Sequence, residues 1–137
     1  MNETGWIEAT WRGVVHAWMC DHFGHMNVRW YAHVFDDAGF ALWSMLGVSQ
    51  EMFRVAGVHT VVARTETDFR AELLAGRVIL VRSRIEKVGT KSVTYEQELL
   101  DADTRRVHAT QYVVEVFFDP EARRSVPIPD TIRALIG

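Results

Sequence analysis

The sequence holds a single cysteine, Cys20, among 137 residues. That excludes an intramolecular disulfide and a thiolate zinc cluster, and it fits a reducing, cytoplasmic setting. Basic charge is not in excess: 15 Lys and Arg against 18 Asp and Glu leave a net charge of −3, with a pI near 6.0. Such a balance leaves no electrostatic footprint for nucleic acid or an anionic membrane. Long apolar runs are missing too, so no segment reaches the roughly 18 residues of a membrane span. The stretch Met1-Asn2-Glu3-Thr4-Gly5 is neither basic nor followed by an apolar run, and no secretory leader is expected. Internal repeats, low-complexity tracts and linkers are absent, and the length suits one domain over 1–137.

What is present is ordinary in bulk and concentrated in one place. Hydrophobic residues make up 48% and charged residues 24%, the balance of a globular chain with a real core. The stretch Cys20-Asp21-His22-Phe23-Gly24-His25-Met26-Asn27 gathers a carboxylate, two imidazoles, a glycine and an amide. It lies where a first strand ends and a helix begins. Chemistry suits such a junction, because the first N–H groups of a helix lack intrahelical partners. Asn27 is nearer the periodic run and is assigned the N-cap, which leaves Asp21 free.

The remainder reads as one helix followed by strands. A first strand is expected over 6–18, interrupted at Gly13. From 28 to about 46, Tyr31, Val34, Phe35, Ala38, Leu42 and Met45 recur at helical spacing and form one apolar face. Gly39 in mid-helix points to close packing against a sheet. A further helical turn is expected over 49–55, ended by Gly57. Strands follow over 58–69, 78–88, 92–100 and 107–118, then a small helix over 130–136 with Asp130 as cap. Over 58–69 the alternation puts Val61, Ala63, Thr65, Thr67 and Phe69 on one side. Short turns demand antiparallel neighbours, and one helix can cover such a sheet only if the sheet curls around it. The fold class expected is α+β.

This element order and the run Asp21-x-x-Gly24-His25-Met26-Asn27, with Tyr31 one turn on, resemble the hotdog-fold acyl-CoA thioesterases. The branch of likeness is the 4-hydroxybenzoyl-CoA thioesterase-like family, and it covers the chain from about Trp11 to Phe118. The resemblance implies an antiparallel sheet wrapped around one long central helix. It gives Asp21 the role of nucleophile or general base, and the backbone N–H near Val28 that of oxyanion donor. Gly24 would let the loop pass close to the thioester, while His25, Asn27 and Tyr31 would orient loop or substrate. Many relatives carry a second asparagine where Val28 stands here. The resemblance further implies a homodimer or homotetramer with coenzyme A lying across the interface. No metal or redox cofactor is implied, since coenzyme A enters as part of the substrate.

Other readings of the same residues weigh less. His16, His22 and His25 with Asp21 match no standard zinc spacing. Cys20 beside an anion is a poor thiolate and is expected buried and inert. Asp36 and Asp37 fall off the apolar face and are expected as a solvated pair. Trp6, Trp11, Trp18, Trp30 and Trp43 read mainly as core or interface material. Arg64, Arg70, Arg82, Arg84 and Lys91 read as solvated strand residues. The expected function is hydrolysis of an acyl-coenzyme A thioester. A 3-hydroxyacyl-thioester dehydratase or hydratase pairing His25 with Asp21 is the enzyme alternative, and a non-catalytic acyl-thioester binder the third.

Overall fold

A computed structural model describes residues 5–137. Residues 1–4, part of the stretch read above for a leader, lie outside the described residues. The elements run β1 (Ile7–Val14), a 3-10 turn (Ala17–Met19), α1 (Val28–Met45), α2 (Gln50–Ala56), β2 (His59–Phe69), β3 (Val78–Val88), β4 (Ser92–Asp101), β5 (Val107–Asp119), β6 (Arg124–Ser125) and α3 (Asp130–Ile136). All pairings are antiparallel, in the order β1-β3-β4-β5-β2, with β6 added along β5. The short turns make β3, β4 and β5 neighbours, as expected. β1 and β2 are thereby left on the two edges.

α1 is the helix the sheet curls around. Its start is fixed by Asn27, whose side chain accepts from the Arg29 N–H at 3.2 Å. Tyr31, Val34, Phe35 and Ala38 pack on Ile79, Val81, Leu99 and Ala109, while Leu42 packs on Val93, Tyr95 and Phe117. Each large apolar side chain buried this way contributes about 1.5–3 kcal/mol. Met45, expected on that face, is 51% exposed. Trp43 replaces it, edge-on to both Phe53 and Phe117. Gly39 has the expected reason: a Cβ there would lie 2.6 Å from the Tyr95 hydroxyl.

Local corrections follow from backbone geometry. β1 ends at Val14 and the chain then turns through the 3-10 segment, so the strand is shorter than 6–18. Its irregularity lies between Ile7 and Trp11, where Ala9 has a φ of 54°, rather than at Gly13. The register of β2 shifts between Val62 and Arg64, which makes Ala63 an extra residue. The bulge reverses the alternation: Thr60 and Val62 join Thr65 in facing α1, and Val61 does not. Asp130 is the first residue of α3, and Pro129 holds the cap position. α2 starts where Ser49 accepts from the Met52 N–H at 3.2 Å and stops at Gly57.

Candidate active site

The stretch between the 3-10 turn and α1 is a tight, tied-down loop. Cys20 bridges Met26, and the Asp21 N–H donates to the His25 carbonyl at 2.9 Å. The Gly24 N–H returns to the Asp21 carbonyl at 3.0 Å. Gly24 has a φ of +84°, a conformation that suits glycine. The segment before β3 pins the loop from outside, through Met26 N–H to Leu73 O at 2.8 Å and the His25–Leu74 bridge.

Asp21 is half-buried, and its carboxylate is engaged on one side. Oδ1 accepts from the Phe23 N–H at 2.9 Å and the His25 N–H at 3.4 Å, while Oδ2 has no partner among the described residues. The N–H of Val28, first residue of α1, likewise has no hydrogen-bond partner among the described residues, and Val28 is 62% exposed. An unpartnered N–H at the positive end of an 18-residue helix is a ready donor to a developing oxyanion.

His25 directs its ring to Glu72, with Nε2 3.1 Å from the carboxylate, and not to Asp21. Tyr31 is buried and meets Phe69 edge-on. Burial, with Glu72 and Cys20 adding, pushes its phenol up to about 12, so it stays a neutral donor. His25, Val28, Tyr31, Phe69, Arg70 and Glu72 line one hollow of about 280 Å³. Thus five of the expected residues (Asp21, Gly24, His25, Asn27 and Val28) share the loop and helix start, and Tyr31 lies one turn further on.

Two more hollows lie between α1 and β2. The first, about 450 Å³, has Arg29, Ala32, His33 and Asp36 on the helix side and Val62 and Thr65 on the strand side. The second, about 140 Å³, reaches Gly39, Phe40 and Trp43 on the helix and His59 and Thr60 on the strand. These two share Asp36, Val62 and Tyr95 and form one groove beside the helix, from Arg29 in its first turn to Trp43. Asp36 and Asp37 are both exposed, as expected; Asp36 also borders both of these hollows, whereas Asp37 pairs with His33 at 3.4 Å.

At the far end of the groove lies Glu115, which sequence reading did not single out. It is 6% exposed, with Oε2 accepting from Tyr95 Oη at 2.5 Å and Trp43 Nε1 at 3.3 Å. Oε1 accepts from Thr60 Oγ1 at 2.5 Å. Burial and then Glu115 raise the Tyr95 phenol well above its ordinary range, which keeps it a donor. The one available signal was a glutamate at an inward position of β5, between the buried Val113 and Phe117. Glu72 was missed for a different reason, since it lies in a connection without periodicity.

The remaining readings resolve by position. His16 stacks on Trp18 and His22 lies against Phe23, so they do not converge with His25 and Asp21. Among the described residues no three His, Cys, Asp or Glu side chains group as metal ligands would. Cys20 is half-buried rather than buried, with Sγ 3.7 Å from the His16 carbonyl. Arg82 and Arg84 lie over the Trp6 ring and pair with Glu98 and Glu96. Among the described residues no helix is long and apolar enough to cross a membrane.

Comparison with known families places this geometry. A family model described as the Thioesterase-like superfamily matches residues 14–136, nearly the whole chain. The chain belongs to the Thioesterase-like superfamily. The thioester-hydrolase class expected from the sequence agrees with that membership. A search of curated proteins finds no match. Among solved structures, the chain is similar to Slr0204, a 1,4-dihydroxy-2-naphthoyl-CoA thioesterase from Synechocystis. That likeness has 17% identity and a TM-score of 0.82, over 96% of both chains. It is also similar to the Staphylococcus aureus protein SAV2348, solved in complex with CoA, at 21% identity and a TM-score of 0.86. There the match covers 99% of this chain and 85% of the other. The gentisyl-coenzyme A thioesterase BH1999 matches at 20% identity and a TM-score of 0.79, over 92% of this chain and 98% of that one. These likenesses establish the hotdog fold of this thioesterase-like chain.

Proposed function

We propose that this member of the superfamily hydrolyses an acyl-coenzyme A thioester to a carboxylate and free coenzyme A, with Asp21 at the reacting centre. One juxtaposition carries the reading: a carboxylate with one free oxygen sits in the loop that leads into a helix whose first N–H is unpartnered. The CoA-bound and CoA-thioesterase relatives of this fold support coenzyme A as the carrier.

In the hydrolytic step the thioester carbonyl oxygen points at the Val28 N–H. Asp21 Oδ2 takes a proton from water as the water oxygen attacks the carbonyl carbon. The tetrahedral oxyanion is stabilised by that N–H and the helix dipole, and the C–S bond then breaks to release the coenzyme A thiolate. In the nucleophilic variant Asp21 itself attacks, and water then opens the mixed anhydride. Asn27 holds the first turn in place. Glu72 fixes the His25 ring, Gly24 allows the close loop passage, and Tyr31 offers a neutral hydroxyl.

Asp21→Asn is expected to lower thiol release by a hundredfold or more, about 3 kcal/mol of barrier, with an unchanged melting temperature. Activity untouched by that substitution would move the carboxylate to Glu72 or Asp36. Single turnover in heavy-oxygen water separates the two variants, because only the anhydride route labels Asp21.

The working form is a homodimer or larger homo-oligomer in the cytoplasm. β2 is an edge strand of 11 residues whose side chains are mostly exposed, Val62 at 51% and Phe69 at 52%. An unpaired edge of that length with Val61, Val62 and Phe69 exposed calls for a partner. Sedimentation of the wild type should give at least a dimer, and Val62→Lys should weaken it. A wild type that sediments as a monomer at micromolar concentration would exclude this arrangement.

A further inference from the structure

The far end of the groove carries a chemical preference of its own. Glu115 is a buried carboxylate that no salt bridge compensates: its donors are the indole of Trp43 and the hydroxyls of Tyr95 and Thr60, all neutral. A carboxylate has room for about four hydrogen bonds, and with two on Oε2 and one on Oε1 a position on Oε1 stays open. Burying an unpaired charge is costly, and the cost is met when a cation arrives.

The walls around it suit such an arrival. Phe40, Trp43, Phe53 and Tyr95 supply aromatic rings, and Asp36 adds a second carboxylate nearer the reacting end. Neither lysine nor arginine lines this hollow, and its one imidazole, His59, has Nδ1 3.2 Å from the Thr60 carbonyl. A neutral alkyl tail needs no carboxylate at the end of its pocket. Aromatic faces with anionic neighbours are instead how proteins hold alkylammonium groups. The hollow shares Asp36, Val62 and Tyr95 with the groove leading from the first turn of α1. An acyl chain whose carbonyl meets Val28 would thus run along α1, and Asp36 lies about 12 Å further on.

We propose that the acyl group this enzyme prefers carries a positive charge at its far end, of the alkylammonium class, received between the aromatic rings and the Glu115 and Asp36 carboxylates. The inference rests on the thioesterase reading given above and names the substrate class of that same site.

The test uses the purified full chain and thiol release from matched pairs of acyl-CoAs. Short, medium and long ω-trimethylammonio acyl-CoAs are each set against the neutral isostere in which carbon replaces nitrogen. Plain fatty and aromatic acyl-CoAs are run alongside. At the length that fits, kcat/KM for the cationic member should exceed that of its isostere by about thirtyfold. Glu115→Gln keeps the side chain's shape and should bring that ratio to within a few-fold of unity, and Asp36→Asn should lower it part-way. The wild-type ratio decides the matter if either variant fails to fold. Equal or better turnover of the neutral isostere at every length overturns the proposal. Turnover of only fatty or aromatic acyl-CoAs also overturns it and leaves the thioesterase reading standing. Absence of thiol from every acyl-CoA overturns the thioesterase reading itself.

Discussion

Three carboxylates are buried among the described residues, Glu96, Asp101 and Glu115; Glu96 pairs with Arg84, and the surroundings of the other two differ in kind. Asp101, fully buried at the end of β4, is complete: it accepts from the Asp103 N–H at 2.8 Å and the Thr104 N–H at 3.0 Å, and Arg77 pairs with it at 2.6 Å. Glu115, on β5 beneath α1, has three neutral donors and no cation. The first closes a turn and faces nothing further. The second borders a hollow and stays short of a charge partner. Burial alone therefore does not separate a structural carboxylate from a binding one; what separates them is whether the protein supplies the counter-charge.

That contrast can be broken at several points. The largest effect is expected from Asp101→Ala, which leaves two turn N–H groups and Arg77 without their acceptor and should cost about 3 kcal/mol in urea unfolding. Glu115→Gln should stay within about 1 kcal/mol of wild type or exceed it, since it removes an uncompensated buried charge. Equal losses in the two variants would erase the distinction.

Next comes the contact that holds Tyr95 against Glu115. Gly39→Ala forces a methyl toward the Tyr95 hydroxyl, 2.6 Å from the built Cβ, and should destabilise by about 1–3 kcal/mol. Adding Tyr95→Phe removes the obstructing oxygen, so the double variant should lose less than the sum of the singles. Additive losses would mean that the glycine is there for another reason.

The smallest effect is a pH dependence at Asp101. The Thr104 and Asp103 N–H groups and Arg77 hold its carboxyl below the ordinary value. A depressed folded-state value means stability that is fully present above the unfolded pKa, about 3.9, and lost as the pH falls toward the folded value. Thermal melts below about pH 4 should show a loss that shrinks in Arg77→Met. An Arg77→Met chain with the same acid profile would assign the effect to the backbone donors alone.

Much of this architecture was legible along the chain because periodicity is a local property. The limits of β3 and α3, the Asn27 cap and the purpose of Gly39 all followed from spacing and residue type. The errors fell where tertiary contacts override local pattern. Met45 yielded its buried place to Trp43, because Trp43 meets rings from α2 and β5 that α1 alone does not announce. The bulge at Ala63 moved the inward positions before it from Val61 and Ala63 to Thr60 and Val62 and left Thr65, Thr67 and Phe69 as expected, because register is set by the partner strand β5.

The site divides in the same way. Asp21, Gly24, His25, Asn27 and Val28 lie within eight positions, so a polar loop leading into a helix start can be read along the chain. Which hydrogen bonds leave Asp21 Oδ2 free, and that His25 turns to Glu72 47 residues away, follow from contacts made only in the folded chain. The same holds for the Glu115 hollow, whose walls come from α1, α2, β2, β4 and β5. Periodicity records which side of an element is buried. The partners that meet on that side, and whether their charges balance, depend on elements brought together only when the sheet closes around α1.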